Sequence, residues 1–220
     1  VGGLGKAVVI LTAIVALTSV LTTALSIGIS GDAADFVAGE TSQSDFEEAL
    51  APLTAVQGLA TVATLAAGVV TIIWMFRMAT NLRAYGRRTT WSPLFSIFGW
   101  FLPPMFLYVI PFLVLREQWK ASEPSVIDGS DSWKATPDNR VLWVWFVFYG
   151  LVPTVLFFAQ VGSIVSSGVS TGDIESLAES LDTVSPLLYV SAVAIIGAVI
   201  SWIIFVRQLT TRHRTLTGET

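Results

Sequence analysis

Four stretches of this chain run for more than twenty residues without a charged side chain or clustered prolines: 7–29, 53–76, 141–166 and 186–206. A helix needs roughly 20 predominantly apolar residues to cross a bilayer core about 30 Å thick. Helices apolar on every side have no stable place at a water-exposed surface. The composition agrees, with 53% hydrophobic and 13% charged residues, where ordinary soluble domains carry roughly a quarter charged. A disordered chain, a disulfide scaffold and a nucleic-acid binder are excluded by the apolar content, the absence of cysteine and the net charge of -4. With no thiolate and one histidine, His213, neither a metal nor a cofactor site is expected. The chain reads as one all-α integral membrane domain spanning residues 1–220.

The placement of basic residues sets the expected topology, because Lys and Arg concentrate in cytoplasmic loops. Lys6 precedes the first span, which reads as a retained helix and not as a cleaved signal. Arg77, Arg83, Arg87 and Arg88 follow the second, Arg116, Lys120, Lys134 and Arg140 precede the third, and Arg207, Arg212 and Arg214 follow the fourth. The connections 30–52 and 167–185 contain acids and no bases. Four spans, arranged as two hairpins with both termini inside, put all 12 basic residues on the cytoplasmic face.

One apolar stretch must then be explained differently. Residues 94–115 are long enough to cross but contain Pro103, Pro104 and Pro111, which remove backbone donors and break a helix. A fifth crossing here would leave five basic residues inside and seven outside. The expectation is a proline-broken re-entrant or interfacial segment over 93–121; the alternative is five transmembrane helices. Ser92-Pro93 would start its inward limb, Pro103-Pro104 would turn it, and Pro111 would open an exit helix over 112–121.

All eight tryptophans fall in or near the proposed inner half, as expected of rings that anchor and pack at a headgroup boundary. The two acidic connections echo each other. Ser44 and Glu47 have capping-box spacing ahead of the second span, and a similar acidic run from Thr171 to Leu181 leads into the fourth. Both of these spans end in a tryptophan followed by arginine, Trp74 with Arg77 and Trp202 with Arg207. Two parallel hairpins of this kind have approximate two-fold symmetry, as in some transporters.

The stretch from Trp74 to Trp145 has a further pattern. Trp74-Met-Phe-Arg77, Asn81-Leu-Arg83, Ser92-Pro93, Gly99-Trp100-Phe-Leu-Pro103-Pro104, Ile110-Pro111 and Leu115-Arg-Glu-Gln-Trp119-Lys-Ala-Ser122 resemble the bacterial membrane family described as domain of unknown function 4328. Pro104 departs from that pattern, where the family more often has a residue such as Ile. The resemblance implies a fold and a bacterial cytoplasmic (inner) membrane location, and it implies no chemistry.

Catalysis would need a nucleophile, a positioned acid or base, or a metal gathered in one pocket. None is visible, and no ionisable side chain falls at the centre of a span. The protein therefore reads as non-enzymatic. Gln57 and Gln160, with Gly68, Gly162 and Gly197, read as helix-packing positions, and His213 reads as solvated in a basic tail. The candidate contact site for lipid or a partner is Arg77, Asn81, Arg83, Arg116, Glu117 and Lys120, with Glu117 placed to pair with Arg77 or Arg83. The expected partners are membrane lipids and a larger membrane protein complex, with the chain as accessory or scaffold subunit. The second reading is a small transporter or channel gated by the proline-broken segment.

Overall fold

The computed structural model describes residues 1–102, 109–126, 129–155 and 186–219, the side chains of 186–189 excepted. Among the described residues every regular element is a helix. Pro103, Pro104, Gln160, Gly162, the outer part of the third span and the second acidic connection lie outside them.

Helix α1, Gly2–Gly28, is charge-free beyond Lys6 and is about 40 Å long at 1.5 Å per residue. A short helix α2, Ser30–Val37, follows, and its Phe36 stacks on Phe46 at 4.9 Å. Helix α3, Gln43–Ala84, has 42 residues, about twice what the hydrocarbon layer requires. Its cap falls two residues earlier than the Ser44–Glu47 spacing predicts: Ser42 is extended, and its hydroxyl accepts from the Asp45 N–H at 3.3 Å. The same Ser-x-x-acid spacing therefore operates in a different register, while Glu47 accepts from Gln43 at 2.7 Å.

Helix α3 stops in a Schellman turn. Gly86 takes φ +71°, Arg87 N–H bonds the Leu82 carbonyl, and Gly86 N–H bonds that of Arg83. Turning begins at Pro93, but the inward limb makes only a four-residue helix α4, Phe95–Phe98, running into one 3-10 turn, Gly99–Phe101. Ser92 supplies its carbonyl to Phe95 N–H and gives no side-chain cap. The exit helix α5, Val109–Ala121, starts earlier than expected and carries Pro111 near its N-terminus, where a missing N–H costs nothing.

Helix α6, Arg140–Trp145, is capped by Asn139, whose side-chain oxygen accepts from Val141 N–H at 2.8 Å and Leu142 N–H at 3.2 Å. It continues through a π-helical turn, Phe146–Leu151. The last helix, α7, Pro186–Thr217, carries on far past Val206, so the basic tail is helical. Three described helices are long and apolar enough to cross a membrane: α1, α3 and Val190–Thr217 of α7. Arg140–Val155 is a shorter apolar helix.

Helix α1 packs on α3 and α7, and α6 packs on α7. The close approach of α1 to α7 depends on Gly5, where an added Cβ would lie 2.5 Å from Thr210 Oγ1. Gly197 plays the same part between α7 and the π-helical turn after α6, with the Phe148 ring 2.8 Å from such a Cβ. Gly68 has no neighbour within 4 Å and closes no packing contact.

The main core lies at the end of the bundle that holds the chain termini. Trp74, Met75, Met78, Leu115, Phe205, Val206 and Leu209 are buried there. Four tryptophans are buried within the protein: Trp74, Trp133, Trp145 and Trp202. Trp74 and Trp202, the two span-end rings of the sequence echo, meet edge to face at 6.2 Å and 83°. Trp145 lies 4.9 Å from Trp202 and stacks on Tyr149. Trp143, by contrast, is exposed.

Candidate functional site: the basic end of the bundle

Helix α3 sorts its residues by face, and that divides the predicted cluster. Its buried stripe is Trp74, Met75, Met78, Ala79 and Leu82. Arg77 and Arg83 fall on the other side and are exposed. Asn81 is half-buried and turned to α7, its amide nitrogen 3.3 Å from His213 Nε2.

The second half of the cluster sits on α5. Arg116 forms a fork on Asp138, with Nε to Oδ1 and Nη2 to Oδ2 both at 2.9 Å. Lys120 reaches the same carboxylate at 3.0 Å. The bonds from Arg116 first, and then from Lys120, hold the Asp138 carboxyl below its ordinary value against the opposing effect of burial. Glu117 does not meet Arg77 or Arg83. Its carboxylate accepts from the main-chain N–H groups of Thr90 at 2.6 Å and Trp91 at 3.0 Å. It thereby ties the entry limb of the 93–121 segment to the exit limb.

Other residues complete this tie. Gln118, buried, donates through Nε2 to the Met75 carbonyl at 3.0 Å and to Ser96 Oγ at 3.4 Å. Gly99 lies against Ile110. Arg87, only 1% exposed, donates to the carbonyls of Glu123 at 3.2 Å and Val126 at 2.9 Å. Arg212 binds Glu123 and sits over the Trp119 ring at 4.3 Å. The Ser125 hydroxyl, together with Arg212, keeps the Glu123 carboxyl below its usual value. Asn139 donates to Gln208 at 2.8 Å, and Trp74 donates to Thr210 at 3.2 Å.

His213 is not solvated, contrary to the sequence reading: it is fully buried where α3, α5 and α7 meet. The Asn81 amide donates to Nε2, which leaves the ring proton on Nδ1 to bond Ser122 Oγ at 3.2 Å. His213 lies beyond Arg207, outside the apolar run, and burial pushes its pKa down to about 4. The ring is neutral at pH 7.

Sequence reasoning missed the contacts of Gln118 and Asp138, of Ser122 with His213, and of Asn139 with Gln208. A signal existed in the spacing of Leu115, Gln118 and Ser122 along one buried face of α5. Asn139 directly before an apolar run is likewise an N-cap signal.

Between Trp91, Leu113, Arg116, Lys120, Trp133 and Lys134 lies a cavity of about 230 Å³. Among the described residues no cluster of His, Asp or Glu is arranged to hold a metal.

The fold and this end together define a helical protein with helices long and apolar enough to cross a membrane and a hydrogen-bonded basic end. The family with the description "domain of unknown function (DUF4328)" matches residues 39–211, and the chain belongs to it. No curated protein and no solved structure matches the chain.

Proposed function

We propose that this protein is a non-enzymatic scaffold or accessory subunit of the bacterial inner membrane. In this reading it crosses the bilayer four times as two hairpins, with both termini and the basic end on the cytoplasmic face. Residues 93–121 enter and leave from that face. The bonds from Thr90 and Trp91 to Glu117, and from Gln118 to Ser96, support this because they hold both limbs at the basic end.

The observation carrying the subunit reading is a polar strip at apolar depth. Gln57, Thr61 and Thr64 on α3 are exposed amid Leu59, Val62 and Leu65, and with Ser19, Thr22 and Thr23 of α1 they line an open groove of about 590 Å³. Hydroxyls there bond back to their own helix, Thr61 to the Gln57 carbonyl at 2.9 Å and Thr23 to that of Ser19 at 3.1 Å. The Gln57 side-chain amide makes no hydrogen bond among the described residues, and a polar group in hydrocarbon gains from a partner helix that bonds it.

The same groove favours the second reading, a transporter or channel for an uncharged solute. Purification from native membranes in mild detergent separates the two. A stoichiometric complex that falls apart in Gln57→Leu is expected for a subunit; a homogeneous single species unaffected by Gln57→Leu contradicts that reading.

A further inference from the structure

We propose that the cavity bounded by Trp91, Arg116, Lys120, Trp133 and Lys134 binds the phosphate of an anionic glycerophospholipid, whose acyl chains lie along Leu94, Phe95 and Phe98. This deepens the reading above, since it takes the basic end to face a leaflet. Three cations, Arg116, Lys120 and Lys134, line one space of about 230 Å³, with the Glu117 carboxylate also in its wall. The acids near them are already engaged: Asp138 is shared by Arg116 and Lys120, and Glu117 is bonded to two main-chain N–H groups. Lys134 is paired with Asp131 at 3.0 Å, both side chains more than half exposed (51% and 56%), and its ammonium lies 5.6 Å from the centre of the Trp133 ring. Such pairs contribute little and exchange readily for a phosphate oxygen.

A second observation points the same way. Trp133 is 2% exposed, and its indole N–H has no acceptor among the described residues. A buried donor without a partner is costly, and an oxyanion in the adjoining cavity is the acceptor chemistry its cationic wall selects.

Apolar surface adjoins the cavity through Trp91, which favours a lipid over a soluble anion. Trp91 contacts Phe95 edge to face at 5.0 Å, and Leu94 and Phe98 beyond it are 54% and 58% exposed. A free phosphate or phosphopeptide would make no use of that strip.

The test is native mass spectrometry of the full chain in neutral maltoside, titrated with dioleoylphosphatidylglycerol or dioleoylphosphatidylcholine. Phosphatidylglycerol is expected to bind about tenfold more tightly, with Lys134→Gln lowering its affinity about fivefold. Trp133→Phe should lower it by about twofold to fivefold through loss of one N–H donor. The double variant Arg77→Gln/Arg83→Gln, whose side chains lie on the exposed face of α3, should leave it unchanged. Equal retention of the two lipids, loss in the Arg77/Arg83 variant equal to that in Lys134→Gln, or displacement of the lipid by millimolar inorganic phosphate would each overturn the proposal. A micelle has no sides, so failure here is distinct from failure of the proposed topology.

Discussion

Replacing Trp74 by alanine is expected to remove about 3–5 kcal/mol of stability, the range for deleting a large buried aromatic ring. Trp74 is fully buried, touches Trp202 edge to face at 6.2 Å, and donates to Thr210 at 3.2 Å. Three effects contribute. The ring leaves a cavity that the packed helices fill only in part, and its dispersion contacts, which hold helices together where lipid offers no hydrophobic drive, are lost. Thr210 also loses its donor, a smaller effect of about 1 kcal/mol. Thr210 is pressed against Gly5 of α1, so the damage spreads to the α1–α7 contact. In detergent the midpoint of thermal unfolding should fall by about 10 °C. Val62→Ala, at a position 65% exposed, should shift it little.

Acid should loosen the basic end through His213. Its pKa falls from the ordinary 6.5 to about 4 in the folded chain. The unfolded state therefore binds the proton first. Stability is full above pH 6.5, declines as the pH drops towards 4, and loses at most about 3 kcal/mol over that window. The ring cannot accept a second proton in place, because Asn81 already donates to Nε2. Arg212 and Arg214 flank it on α7, and Glu219 is the acid that partly offsets burial. His213→Gln keeps a polar side chain without the titration. Thermal unfolding in detergent between pH 7 and pH 4.5 should show a marked decline for the natural chain and a much shallower one for His213→Gln. Equal declines would assign the acid sensitivity elsewhere.

Three long apolar helices were legible because charge-free runs of this length, without clustered prolines, fold as helices able to cross a bilayer. The division of labour at the basic end was not. Arg77 and Asn81 are four residues apart and share a flank of α3, but Asn81 lies closer to the edge of the buried stripe, so it reaches His213 while Arg77 stays exposed. The α7 extension was hidden by its polar composition, although Phe205, Leu209 and His213 recur every four residues and are all buried. Glu117 looked like an ion-pair partner because its nearest cations were known and its nearest main-chain donors were not. The carboxylate that Arg116 and Lys120 share, Asp138, lies about twenty residues further along the chain, a distance that spacing cannot bridge. The family pattern, in contrast, marks the residues around Ser92-Pro93 and Pro111, which the bonds of Glu117 and Gln118 bring together at this end.

The proposed architecture depends on residues 88 and 134 facing the same compartment. The chain has no cysteine, so single cysteines can be introduced without background. Arg88→Cys, Lys134→Cys and Asp35→Cys all place the thiol at exposed positions. A membrane-impermeant maleimide should label only the Asp35→Cys variant in spheroplasts, and only the Arg88→Cys and Lys134→Cys variants in inverted vesicles. Labelling of Lys134→Cys together with Asp35→Cys from outside would mean that residues 93–121 cross the bilayer, and the two-hairpin account would be wrong.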